Sequence, residues 1–75
     1  MSIGEAELAT RFTFHPVQGD QGHRYETLRE MGRRFAEMVD QLCPDSREKS
    51  TAVTKIEEAV MHANAAIARR EPQVP

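Results

Sequence analysis

Four residues, Cys43-Pro44-Asp45-Ser46, separate two long stretches in which an apolar residue recurs at alternating steps of three and four. In the first stretch these positions are Tyr25, Leu28, Gly32, Phe35, Val39 and Leu42. In the second they are Val53, Ile56, Val60, Ala63 and Ile67. A 3-4 alternation is the seven-residue repeat of a helix that lays one stripe against a partner. Pro44 stops the first helix, and Pro72 closes the second. A link this short leaves the two helices one arrangement, side by side and antiparallel. The sequence therefore predicts an all-α fold in a single domain, residues 1–75: an antiparallel two-helix hairpin with helices over 20–43 and 46–70. Asp20 is the expected cap of the first helix. Asp45 is the expected cap of the second, with Glu48 three residues on, close to a capping box.

Residues 1–19 precede the hairpin. "ELATRFTF" reads as a short strand or an extended arm, and Pro16 pushes His15 toward extended geometry. Gly19 and Gly22 mark a turn into the first helix. The expectation is an extended N-terminal arm.

A chain of 75 residues is marginal as a free-standing domain and needs a staple. Cys43 is the single cysteine, so an intramolecular disulfide is impossible. Cys43, His15, His23 and His62 lack the paired spacings of a zinc module, so neither a metal nor any other cofactor is expected. Oligomerisation remains. Apolar residues also lie beside the seams: Met31 and Met38 on the first helix, and Ala52, Ala59 and Ala66 on the second, widened by Met61, Ala65 and Ala68. A two-layer hairpin has nothing to cover them. A homo-oligomer built from two-fold dimers follows.

The formal net charge is −2, which argues against a duplex nucleic-acid binder. No apolar run is long enough to span a membrane, and the N-terminus lacks a signal-peptide pattern. A lone thiol fits a reducing, cytoplasmic setting. Catalysis finds no footing. Cys43 with His62 has no evident orienting group, and the adjacent Glu57 and Glu58 face different directions on a helix.

The arginines and aromatics carry more. Arg33 and Arg34 read as partners of Glu26, Glu30 and Glu37 in ordinary surface ion pairs. Arg29 follows seam residue Leu28 and lies near where the lead-in must fold back. An aromatic beside such an arginine combines ring stacking with phosphate pairing, which is what a nucleotide needs. Periodicity by itself favours packing for Phe12 and Phe14, since apolar side chains in a strand-like segment usually pack.

The strings "RFTFHP", "RYETLREMGRRFAEMVDQL" and "CPDSREKSTAVTKIEEAVMHANAAIAR" resemble, over residues 11 to 71, the helical-hairpin domain of phage anti-CBASS and anti-Thoeris cyclic-nucleotide sponges. The resemblance implies a non-enzymatic homo-oligomer, hexameric in described members, in the cytoplasm of the infected bacterium. It implies binding of cyclic nucleotide immune messengers, either cyclic di- or trinucleotides or the cyclic ADP-ribose type, without degradation. On that pattern Phe14 takes the place of the base-stacking aromatic; Phe12 is read from packing as closing the core, and Phe12, His15 and Met31 are counted with Phe14, Arg29, Asn64 and Arg69 as candidate nucleotide-binding residues. Arg29 takes the place of the basic residue that contacts a cyclic dinucleotide. Met31 stands where the anti-CBASS sponges carry a hydroxyl for a second, trinucleotide pocket. That pocket is either lost here or rebuilt from Asn64 and Arg69. A second reading of the same hairpin is an oligomerisation or adaptor module for another protein. A third is a small enzyme that turns the messenger over.

Overall fold

A computed structural model describes residues 2–72. Met1 and residues 73–75, the two ends of the expected domain, lie outside the described residues. The chain forms three helices, α1 (Glu5–Phe12), α2 (Gln21–Leu42) and α3 (Arg47–Arg70), and no strand among the described residues.

The first helix corrects the expectation for the lead-in, which is extended only after Phe12. The segment closes its own bonds locally. Gly4 enters in extended geometry, Glu5 and Glu7 sit in the first turn, and Arg11 sits in the last, the charge order that a helix dipole favours. Arg11 pairs with Glu7 one turn back, and the Thr10 hydroxyl donates to the Ala6 carbonyl at 3.0 Å. A lone strand would leave its backbone groups unpaired, whereas a helix satisfies about half of them within eight residues. The chain leaves the helix at Thr13 (φ −107, ψ 142). A carbonyl only accepts, so the His15 imidazole donates through Nε2 to the Thr10 carbonyl at 2.8 Å. That satisfies one of the four carbonyls a helix end leaves open.

The turn into α2 rests on Gly19, whose φ of +52 is the left-handed region that favours glycine. Asp20 precedes α2 but makes no side-chain cap. Its carboxylate pairs instead with Arg24 at 3.1 Å. Gln21 takes over the pinning role and is only 4% exposed. Its amide oxygen accepts from the Gln18 backbone at 2.9 Å, and its amide nitrogen donates to Glu71 at 3.0 Å. Glu71 also receives Arg24 in a two-bond fork, one arm at 2.8 Å. Thus the start of α2 is tied to the residue just beyond α3.

The cap of α3 lies one residue later than the sequence suggests. Ser46 Oγ accepts from the Lys49 amide at 3.1 Å, while Asp45 pairs with the Lys49 ammonium at 2.8 Å. The residue three beyond the cap is therefore Lys49 rather than Glu48, and no capping box forms.

Helices α2 and α3 run antiparallel. Gln21 reaches Ile67, Gly32 meets Val60, and Asp40 meets Lys49. The helices approach closely at Gly32, where an added Cβ would sit 2.5 Å from Val60 Cγ2. Leu28, Val39, Val53, Ile56, Val60, Ala63 and Ile67 are half-buried along this seam. Phe35 and Leu42 depart from the seam reading, being 56% and 75% exposed. A straight helix drifts by about 20° per heptad from a strict seven-residue repeat. One uncoiled partner therefore does not cover every seam position.

The result is a slab of 48 × 35 × 13 Å, one helix thick in its shortest direction. Its radius of gyration, 15.8 Å, exceeds the roughly 11 Å of a compact domain of this length. No hydrophobic side chain among the described residues is fully buried.

Candidate nucleotide-binding groove

Helix α1 and the extended Thr13-Phe14-His15 segment lie across the end of the hairpin where α2 begins and α3 finishes. Between them runs an open groove of about 440 Å³. Phe14 and His15 form one lip, Tyr25 and Arg29 come from α2, and Asn64 and Arg69 come from α3. Arg11 enters from α1, and Met61 lines the floor. Among the described residues no carboxylate lines the groove, although the chain as a whole carries more acids than bases.

Each position follows from helical spacing. Tyr25 and Arg29 are one turn apart on α2, and Met61, Ala65 and Arg69 succeed one another by turns on α3. Phe14 sits in extended backbone between the end of α1 and Pro16, with no helix of its own to lie against, and is 83% exposed. An exposed phenyl face beside arginines costs hydration in the empty protein and offers a stacking surface to a planar ligand.

The arginines divide into two groups. Arg33 pairs with Glu37 at 2.9 Å and Arg34 with Glu30 at 3.1 Å, as the sequence suggests. Arg24 is held by Asp20 and Glu71. Arg11 is held by Glu7, as is Arg70, whose two nitrogens donate to Glu7 at 2.8 and 2.7 Å. Among the described residues, Arg29, Arg69 and Arg47, the last at the start of α3 and outside the groove, have no carboxylate partner. Arg29 and Arg69 point their chemistry into the same groove, where a phosphate would supply the missing charge.

Glu7 makes the geometry of this end firm. Hydrogen bonds from Arg70 and then Arg11 hold its pKa down to about 2. Arg24 and then Gln21 hold Glu71 down to about 2 as well. Both stay ionised through the physiological range, so the latches on either side of the groove do not open there.

Of the residues singled out in the sequence, Phe14, His15, Arg29, Asn64 and Arg69 come together in this groove. Asn64 and Arg69 share it with Phe14 and Arg29 and do not build a separate pocket with Met31. Met31 lies on another, almost wholly apolar groove, with Leu28, Gly32, Phe35, Ala59 and Ala63. Phe12 does not close a core. It ends α1, a helix with no buried residue, and is 84% exposed, so no core forms around it. Tyr25 and Arg11 line the groove without having been assigned to it. The signal for Tyr25 was its one-turn spacing from Arg29. The signal for Arg11 was its one-turn spacing from Glu7, legible only once 5–12 is read as helix.

Arg11 and Arg69 also border a neighbouring groove of about 390 Å³, with His62 and Arg70. Among the described residues no cluster of His, Cys, Asp and Glu could hold a metal ion, and no helix is long and apolar enough to cross a membrane.

Fold and site define a class of protein: a thin helical hairpin that presents a cationic, aromatic-edged groove at one end. The hairpin-domain model of the Acb2/Tad1 family matches residues 4–68, and the chain belongs to this family, that of the anti-CBASS and anti-Thoeris sponges. The family is known for anti-defence sequestration of cyclic nucleotides. No curated protein and no solved structure matches the chain.

Proposed function

We propose that this chain is a phage anti-defence protein that binds a cyclic nucleotide immune messenger in the host cytoplasm and withholds it from its effector, without degrading it. The observation that carries this reading is the pair Arg29 and Arg69, without carboxylate partners among the described residues, in a groove edged by the exposed Phe14. Cyclic di- and trinucleotides and cyclic ADP-ribose isomers all join phosphates to planar bases, so each offers both contacts.

Magnitudes favour an assembled site. One stacked ring contributes ~1–3 kcal/mol and one charged hydrogen bond ~1.5–3 kcal/mol. A Phe and an Arg thus supply about 3–6 kcal/mol before ordering costs, against the roughly 12 kcal/mol of nanomolar binding. Two copies of the groove facing each other across a two-fold axis reach that range, and a cyclic dinucleotide has a matching near two-fold symmetry. The apolar groove at Met31 and Phe35 supports such association. The assembly we propose is a hexamer built from dimers. Sequestration rather than turnover is supported by the groove lining, where among the described residues no hydrogen bond joins the Thr13 or Tyr25 hydroxyl to the His15 imidazole, which bonds the Thr10 carbonyl instead. Duplex nucleic acid and membranes are not partners in this reading.

The test is calorimetric titration of the full chain with cyclic dinucleotides, cyclic trinucleotides and cyclic ADP-ribose isomers. Tight binding of one class, with the ligand recovered intact after heat release, is expected. No heat with any of them overturns the binding reading, and recovery of a cleaved product overturns sequestration.

A further inference from the structure

Helix α1 ends without the glycine that commonly closes a helix. Thr13 leaves it in extended geometry (φ −107, ψ 142), and among the described residues no positive φ occurs before Gly19. The carbonyls of its last turn have no partner within the helix. Neighbouring side chains do not supply one: the Thr10 hydroxyl donates back to Ala6, and Arg11 is turned to Glu7. The donor comes from five residues on, where His15 Nε2 reaches the Thr10 carbonyl at 2.8 Å. Among the described residues this is the one hydrogen bond made by residues 13–17, backbone or side chain. His15 is half-buried, while Phe14 and Pro16 on either side of it are exposed.

We propose that His15 is a positioning residue of the groove: its bond to the end of α1 fixes the segment on which Phe14 stands, and so holds the Phe14 ring where a planar base meets it. This rests on the sequestration reading and adds a residue that acts through Phe14 rather than on the ligand. Two constraints meet at His15. Pro16 confines its backbone to extended geometry, and the Thr10 carbonyl holds its ring against α1. Neighbouring side chains in extended backbone point to opposite sides, so an imidazole fixed on α1 turns the Phe14 ring away from that helix end. Phe14 is 83% exposed, so packing does not set its ring; the segment does. A ring ordered before the ligand arrives loses less freedom on stacking. Helix α1 is docked independently, through Glu7 and Arg70, so the His15 bond bears on the segment after the helix rather than on the helix.

The experiment is titration calorimetry of the full chain and its variants, alongside backbone order parameters by NMR for residues 13–15 of the free protein. The probe is whichever of 3′,3′-cyclic di-AMP, 3′,3′-cyclic di-GMP, cyclic tri-AMP and cyclic ADP-ribose the wild type binds most tightly. His15→Ala is expected to lower the order parameters and to weaken binding by about 2- to 12-fold. His15→Gln places an amide N–H where Nε2 stood and is expected to recover both, whereas His15→Asn, one carbon shorter, is not. In a Phe14→Ala background, His15→Ala is expected to change the affinity by less than about twofold, because its effect runs through a ring that is gone. An equal loss with and without the Phe14 ring, or a loss that His15→Gln fails to recover, makes His15 a direct contact and overturns the positioning role alone. So do unchanged order parameters in His15→Ala, and so does faster hydrogen exchange of the α1 amides, which would make His15 a cap of the helix. Binding of none of the four ligands overturns the sequestration reading itself, and the order parameters then still decide what His15 holds.

Discussion

Phe14, Arg29 and Gly32 show how single residues carry separate duties. Phe14 is 83% exposed, so removing its ring deletes no packing within the protomer. Phe14→Ala is expected to leave the helical circular dichroism signal unchanged and to weaken messenger binding by ~1–3 kcal/mol. An unchanged affinity would remove the stacking role. Arg29→Lys keeps the charge and loses the planar fork, so its affinity should fall between those of the wild type and Arg29→Ala. Gly32 works in the opposite sense. A Cβ at this position would lie 2.5 Å from Val60 Cγ2, and the β-branched valine has little rotamer freedom in a helix. Alanine is the better helix former by about 1 kcal/mol, yet the clash costs ~1–3 kcal/mol. Gly32→Ala is therefore expected to lower the melting temperature, and adding Val60→Ala should restore most of it. Restoration by the second change would separate close approach from backbone propensity.

Helix α1 is the element that makes the groove. It contributes Arg11 directly and sets where Phe14 leaves the helix end. Glu7 holds it down by joining Arg70 of α3 to Arg11 of its own last turn. Glu7→Gln is expected to speed hydrogen exchange of the α1 amides and to weaken ligand binding, with α2 and α3 amides little changed. Acid should act through the same latch. Glu7 and Glu71 have an ordinary pKa of 4.5 and are held to about 2 in the folded chain. Below 4.5 the unfolded chain binds the protons that the folded chain resists, so stability falls with pH there. The contribution is complete above pH 4.5 and fades as pH drops toward 2, which a series of melting temperatures across that window would register. Glu7→Gln should flatten part of the slope. Both carboxylates sit in exposed pairs, so salt should blunt the effect.

At the scale of the whole molecule, a slab 13 Å thick without a fully buried hydrophobic side chain among the described residues does not account for its own stability. Met31, Phe35 and Met38 are each half or more exposed, on the same helix, and the groove along Leu28, Ala59 and Ala63 is apolar. A second copy laid on this surface would supply the missing core and leave the groove at Phe14 on its own lip. Phe35→Asp is expected to reduce the mass seen by light scattering and to lower the melting temperature at fixed concentration. The wild-type melting temperature should rise with protein concentration, as mass action requires for a folded oligomer.

The sequence by itself determined the hairpin. The 3-4 repeats, Pro44 and the four-residue link are local features, and local features leave antiparallel helices as the one short-range solution. It also singled out Arg29, because an arginine next to the seam is visible without coordinates, whereas periodicity favoured packing for Phe14 and only the family resemblance assigned that ring to stacking. The lead-in was less legible. Glu5–Phe12 is short, and "ELATRFTF" alternates well enough to pass for a strand. The Glu7–Arg70 pairing that holds it as a docked helix spans 63 positions. Only the tertiary structure showed that, among the described residues, Arg29 and Arg69 lack carboxylate partners while their neighbours have them, that Phe12 stands exposed outside the groove, and that Asn64 keeps a buried oxygen unpaired. Each of these depends on which side chains meet across separate helices, and periodicity along one chain fixes a face but not what stands opposite it.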